Sequence, residues 1–203
     1  MKKGEKEKIL EKMHEDLLAL RASPLYGYRK ENNYLPVVGE GDANADIVFI
    51  GEAPGRNEAK TGKPFCGAAG KILDGLLQTI KLKREDIYIT NIVKDRPPKN
   101  RDPLPEEIEI YGPFLDKQLE IIKPKIIATL GRYSMKYILE KFGMRESSNP
   151  IGEMHGKFLE AEAPYGKIKI VALYHPCVAI YNRKTKDTLI KDFKVIKKLR
   201  IED

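Results

Sequence analysis

Glu52, Asn91 and His175 are the residues of this chain best suited to chemistry, and each stands in or just after an apolar run. A carboxylate there can position or deprotonate a water. An imidazole can donate a hydrogen bond to a developing anion. A side-chain amide offers donor and acceptor together, which suits the edge of a nucleobase. Plainer roles stay open: Glu52 as an exposed carboxylate, Asn91 as a brace for a neighbouring loop. Gly51-Glu52-Ala53-Pro54-Gly55 reads as a sharp turn whose glycines let backbone approach a ligand closely. It lacks the Gly-Lys-Ser/Thr ending of a phosphate-binding loop and the G-x-G-x-x-G spacing. Phe65, in the loop Lys63-Pro64-Phe65-Cys66-Gly67, either stacks on a base or anchors its loop to the core. Residues 94–103 form a stiff loop in which Lys94, Arg96, Lys99 and Arg101 could grip phosphates.

For these groups to meet, the elements between them must bring the strand ends together. Short apolar strands are expected at 46–50, 86–93, 125–130 and 168–174, the last preceded by 158–161 across a Pro164-Tyr165-Gly166 hairpin. Helical spacing marks a first helix through Leu10, Met13 and Leu17. Others run through Leu73, Leu76 and Leu77, from Pro105 to about Ile122 with a kink at Gly112-Pro113, after Gly131, and from about Lys186 to Leu199. Residues 24–45 read as loop with short extended pieces. Strands alternating with amphipathic helices imply a three-layer α/β/α fold with a central, mostly parallel sheet of about four strands. Ligands of such sheets bind beyond the carboxyl ends of the strands, which is where Glu52, Asn91, Arg132 and His175 fall.

Composition bounds the remaining possibilities. The 203 residues fit one domain, 1–203, and no apolar stretch is long enough to span a membrane. The N-terminus reads as an amphipathic helix rather than a secretory signal, so a cytoplasmic protein is expected. The net charge of +7 is compatible with a polyanionic partner. Two cysteines, Cys66 and Cys177, cannot make a disulfide framework or a thiolate-held cluster, and the three histidines lack metal-ligand spacing, so no metal is expected.

Five segments in order, GEAPGRNE (51–58), GKPFCGAAGKIL (62–73), YITNIVKDRPPKNRDPLPEE (88–107), ATLGRYSMKYIL (128–139) and YHPCVAI (174–180), resemble the uracil-DNA glycosylase superfamily, most of all its family 4. The resemblance implies a monofunctional glycosylase that hydrolyses the N-glycosidic bond of a flipped-out uracil in DNA, and a monomer is expected. It implies that Phe65 stacks on the base, Asn91 reads its edge, His175 stabilises the uracilate and Glu52 assists the attacking water. Glu58 would close the pocket near uracil C5, and Gly51, Ala53 and Gly55 would line its floor. Lys94, Arg96, Lys99 and Arg101, with Arg183 and Lys184 after the last motif, would touch phosphates. Two alternatives remain, a glycosylase for another deaminated base such as hypoxanthine and a non-catalytic nucleic-acid-binding homologue. Family 4 normally carries an iron–sulfur cluster on four cysteines. Here those positions hold Leu20, Ser23, Asp95 and Tyr111, so no cluster is expected, with Leu20 and Tyr111 filling the space and Ser23 and Asp95 bonding nearby backbone.

Overall fold

Runs such as Ile47-Val48-Phe49-Ile50 have no polar side, and only a strand covered on both faces can bury them. In the computed structural model, which describes residues 1–147, 149–182 and 185–201, the chain begins with α1 (Lys3–Ala19), α2 (Tyr26–Glu31), β1 (Glu40–Gly41) and β2 (Ile47–Gly51). It continues through α3 (Arg56–Thr61), α4 (Ala68–Thr79), β3 (Tyr88–Asn91), α5 (Pro105–Ile122), β4 (Ile126–Leu130) and α6 (Arg132–Lys141). It ends with α7 (Ile151–Met154), β5 (Phe158–Ala163), β6 (Gly166–Leu173), α8 (Val178–Tyr181) and α9 (Thr185–Ile201).

The strands form one six-stranded sheet in the order β1-β3-β2-β4-β6-β5. The inner four are parallel and both edge strands pair antiparallel, so the sheet is mixed and larger than the four-stranded, mostly parallel one the sequence suggests. The difference lies at the edges. β1 is two residues long and leaves no period-two signal, and β5 is the outer arm of the hairpin with β6. α2 falls where the sequence reads as loop; its single buried residue is Arg29, so no apolar stripe announces it. α5 runs on through Pro113.

Side chains alternate across the sheet into two apolar layers. On one face Val48, Ile50, Ile127 and Ile170 pack with Leu115 and Leu119 of α5 and Ile138 of α6. On the other, Phe49, Ala128 and Val171 pack with Leu73 and Leu77 of α4 and Phe193 of α9, the Phe49 and Phe193 rings lying 5.8 Å apart. Truncating any of the fully buried leucines to Ala would cost about 2–5 kcal/mol. The chain leaves β2 toward the α4 face and β4 toward the α5–α6 face. The connections that follow these adjacent, paired parallel strands therefore part to opposite faces, which opens a crevice at the strands' carboxyl ends.

Candidate active site

A cleft of about 440 Å³ opens at that crevice, and its walls include Glu52, Gly55, Glu58, Phe65, Asn91 and His175. With Ala53, which also lines it, seven of the eight residues singled out for catalysis and base binding are thus brought together, and the eighth, Gly51, lies against Asn91 and Phe65. Gly51 ends β2, where a methyl group would overlap the Asn91 amide oxygen and come within 2.8 Å of Phe65 Cζ. Its missing side chain is what lets the amide and the ring close over the strand end. Asn91 is 2% exposed and lines the cleft, its side-chain amide facing that opening with no hydrogen bond to another described residue. A buried amide normally finds partners, so this one is free for a ligand.

His175 follows β6. Its Nδ1 accepts the backbone N–H of Cys177 at 3.2 Å. An N–H pointed at Nδ1 requires that nitrogen to be bare, which places the proton of the neutral ring on Nε2. Burial pushes the His175 pKa down to about 4, so the neutral form prevails at neutral pH. The Phe65 ring lies 5.6 Å from the imidazole at an interplanar angle of 30°. The site therefore holds an uncharged N–H donor beside an aromatic platform.

Glu52 reaches across the crevice from β2 to α6. Its Oε1 accepts the Tyr133 N–H at 3.0 Å. Gly131, at φ +108°, lies directly under that carboxylate and leaves no room for a side chain. Burial raises the Glu52 pKa, opposed by the Tyr133 N–H. The result is a fixed carboxylate with heightened basicity. Glu58 Oε1 accepts the Gly67 N–H at 2.8 Å, and its other oxygen lies beside Gly55. It ties the turn after β2 to the loop carrying Phe65. Cys177 also lines the cleft, and burial pushes its thiol pKa up, away from nucleophilic thiolate.

The cationic loop needs correction. Lys94 is fully buried, with Nζ donating to Asn91 O at 2.6 Å, Gln118 Oε1 at 2.6 Å and Thr90 Oγ1 at 2.8 Å. It braces the main chain behind Asn91 and cannot reach DNA. Arg96 is 9% exposed; Nε donates to Asn100 Oδ1 at 2.9 Å and Nη1 to the Tyr28 hydroxyl at 2.9 Å, which makes it a loop brace as well. Arg101 lines the cleft but is held by the buried Glu107 carboxylate in two hydrogen bonds, at 2.6 and 2.9 Å. Lys99 is exposed. Arg183 and Lys184 lie outside the described residues.

Three of the four positions where the resemblance implies cluster cysteines, Ser23, Asp95 and Tyr111, form a closed polar network with Arg29. Tyr111 donates to Asp95 Oδ2 at 2.6 Å, and Ser23 Oγ lies 2.6 Å from the Tyr111 oxygen, so the serine proton points to Tyr111. Leu25 N–H in turn donates to Ser23 Oγ at 3.0 Å. Arg29 Nη1 reaches both Asp95 oxygens, at 3.0 and 3.2 Å, and the Leu17 carbonyl at 2.8 Å. Leu20 packs on the apolar cluster that contains Tyr111 and Leu17. Iron–sulfur clusters need thiolates, and this oxygen and guanidinium set, each member satisfied by another, does not fit one. The expected filling by Leu20 and Tyr111 is present and Ser23 does bond backbone, whereas Asp95 is held by side chains. Arg29 is the member sequence reasoning missed, since its partner lies 66 residues away.

Fold and site together are those of a glycosylase-type protein, a three-layer α/β/α domain with a cleft at the carboxyl ends of the inner parallel strands of its mixed sheet. The family model described as the Uracil DNA glycosylase superfamily matches residues 38–197, and the chain belongs to that superfamily, in its family 4. A type-4 uracil-DNA glycosylase of Archaeoglobus fulgidus is 45% identical over 172 residues, 85% of this chain and 84% of that protein. One from Sulfurisphaera tokodaii is 45% identical over 193 residues, 95% of this chain and 85% of that protein. A type-5 enzyme of Thermus thermophilus is 32% identical over 155 residues, covering 69% of this chain and 68% of that protein. Among the described residues no helix is long and apolar enough to cross a membrane, and no group of three or more His, Cys, Asp or Glu could hold a metal ion.

Proposed function

We propose that this protein is a monofunctional DNA glycosylase that hydrolyses the N-glycosidic bond of uracil flipped out of DNA. One observation carries the reading: a neutral imidazole with its proton on Nε2 shares a cleft with an unbonded amide and an aromatic ring. Extruding a base from the duplex costs a few kcal/mol, and stacking on Phe65 with hydrogen bonds to Asn91 offsets it. The Asn91 amide offers an acceptor to uracil N3–H and a donor to O4. As the C1′–N1 bond breaks, its electron pair passes to the base, and the charge on O2 meets the His175 Nε2–H. Such a donor is worth about 10²–10³ in rate. Water adds to C1′ and gives its proton to the Glu52 carboxylate, leaving an abasic sugar and a uracil anion, which leaves as neutral uracil on taking a proton from solvent while Glu52 returns its own to solvent. Glu58 closes the pocket on the side where thymine carries its methyl group. Exposed Lys99 contributes to phosphate binding, and the chain acts as a monomer without cofactor.

The test uses otherwise identical duplexes carrying uracil, hypoxanthine or thymine opposite guanine, followed by cleavage of abasic sites. Strand scission only at uracil supports the assignment. Scission at hypoxanthine in place of uracil would make this a glycosylase for a different deaminated base, and no scission on any duplex, with binding retained, would make it a non-catalytic binder.

A further inference from the structure

Phe65 has φ +46°, a left-handed conformation that bulky side chains rarely adopt and that persists only where surrounding structure enforces it. Three groups outside the cleft do so. Arg84, in the short 3₁₀ turn Arg84–Asp86 before β3, donates from Nη2 to the Phe65 carbonyl at 2.5 Å and from Nη1 to the Pro64 carbonyl at 3.2 Å. Its Nε donates to Asp74 Oδ1 of α4 at 2.6 Å. From below, the Phe65 carbonyl lies against Gly70 of α4 so closely that any side chain there would strike it. One planar guanidinium thus fixes two consecutive carbonyls and is itself fixed by a carboxylate on the helix that follows. That fork geometry is specific to arginine.

We infer that Arg84, oriented by Asp74, is the positioning residue that holds Phe65 in its left-handed conformation and so aims the ring into the cleft, where it stacks on the extruded base. The inference rests on the glycosylase reading for the identity of the base, while the clamp itself rests on geometry. Neither Arg84 nor Asp74 touches the substrate. Their effect passes through the Pro64–Phe65 carbonyls, and a relaxed loop would carry the ring away from the base and from His175.

The test compares wild type with Arg84→Gln, Arg84→Lys and Asp74→Asn. Arg84→Gln should lower single-turnover excision by about 10- to 100-fold, as expected when a stacking partner is misplaced by a change remote from the chemistry. It should weaken inhibition by free uracil in proportion, leave binding to undamaged duplex unchanged and speed amide exchange at residues 65–67. Because the ring also covers the imidazole, the His175 titration followed by NMR should move up from about 4 toward its ordinary 6.5. Arg84→Lys should recover part of the loss, since an ammonium can hold one of the two carbonyls. Asp74→Asn, half-exposed on α4 and outside the loop, should move every readout in the same direction by less, and it serves if Arg84→Gln fails to fold. Unchanged excision and unchanged exchange at 65–67 in both Arg84→Gln and Asp74→Asn would overturn the inference, as would a loss shared equally by duplex binding and thermal stability. If the wild type releases no uracil, the glycosylase reading falls, and exchange at 65–67 with the His175 titration still decides the clamp.

Discussion

Replacing His175 with Leu separates the neutral-imidazole account from one in which a charged histidine stabilises the leaving base. Burial lowers the His175 pKa from 6.5 to about 4. The folded protein therefore binds this proton less tightly than the unfolded chain does. The site is stable at full strength above pH 6.5, and that stability drains away as the pH falls through the window from 6.5 to about 4. At about 1.4 kcal/mol per unit, the loss is about 2 kcal/mol by pH 5 and about 3 kcal/mol in all. His175→Leu has no such proton to refuse. Urea unfolding of both proteins at pH 8 and pH 5 should therefore show wild type losing about 2 kcal/mol more than the variant between the two conditions. The difference between the proteins cancels every other titrating group. With three histidines in the chain, imidazole NMR of wild type against His175→Leu assigns the ring and should find its proton on Nε2 at pH 7. Excision by the variant should fall by about 10²–10³. Equal pH sensitivity in the two proteins, a titration near 6.5 or a proton on Nδ1 would refute the reasoning.

The buried and exposed cations of the 94–101 loop should part company: Lys99→Ala should reduce the slope of log affinity against log salt by about 0.9 for each phosphate that Lys99 neutralises, and Lys94→Met should leave that slope alone while lowering stability in a thermal melt. Asp95→Asn, which leaves the Arg29 guanidinium buried without its anion, should destabilise by about 3–5 kcal/mol in urea unfolding, and Tyr111→Phe by about 1–3 kcal/mol. Protein purified under nitrogen should carry no iron by elemental analysis and no visible absorbance. Replacing Cys66 and Cys177 together with Ser should leave excision within about tenfold of wild type in the abasic-site assay, since no thiol takes part; a loss on the scale of a missing oxyanion donor, about a hundredfold, would put a thiol in the mechanism.

The sequence made the central strands and the site order legible because both follow local rules. Ile126 to Leu130 is buried throughout and, Thr129 apart, apolar on both sides, as suits a doubly covered strand, and Glu52, Asn91 and His175 mark strand ends. What stayed illegible was decided by partners far along the chain. Lys94 looks like a phosphate ligand until Gln118, 24 residues on, is seen to accept its hydrogen bond. Arg96 is claimed by Tyr28, 68 residues earlier. Glu52 meets the α6 N-terminus 81 residues downstream, which no spacing foretells. α2 escaped for the complementary reason: its buried residue is an arginine satisfied by the Leu17 and Leu18 carbonyls and Asp95, so hydrophobic periodicity never develops.

The network of Ser23, Arg29, Asp95 and Tyr111 has a consequence for how the protein comes into being. Every group that fastens α1 and α2 to the loop after β3 is encoded in the chain and ready when translation ends. Maturation at this corner needs no delivery of iron, no sulfide donor and no scaffold to assemble a cofactor. None of the four side chains climbs the ladder of oxidation open to thiolates, so an oxidative burst that damages DNA leaves this fastening intact. The fastening is also closed on itself: Asp95 is held by Tyr111 and Arg29, and Arg29 by the Leu17 and Leu18 carbonyls, so α1, α2 and the loop after β3 are tied through one buried set of partners.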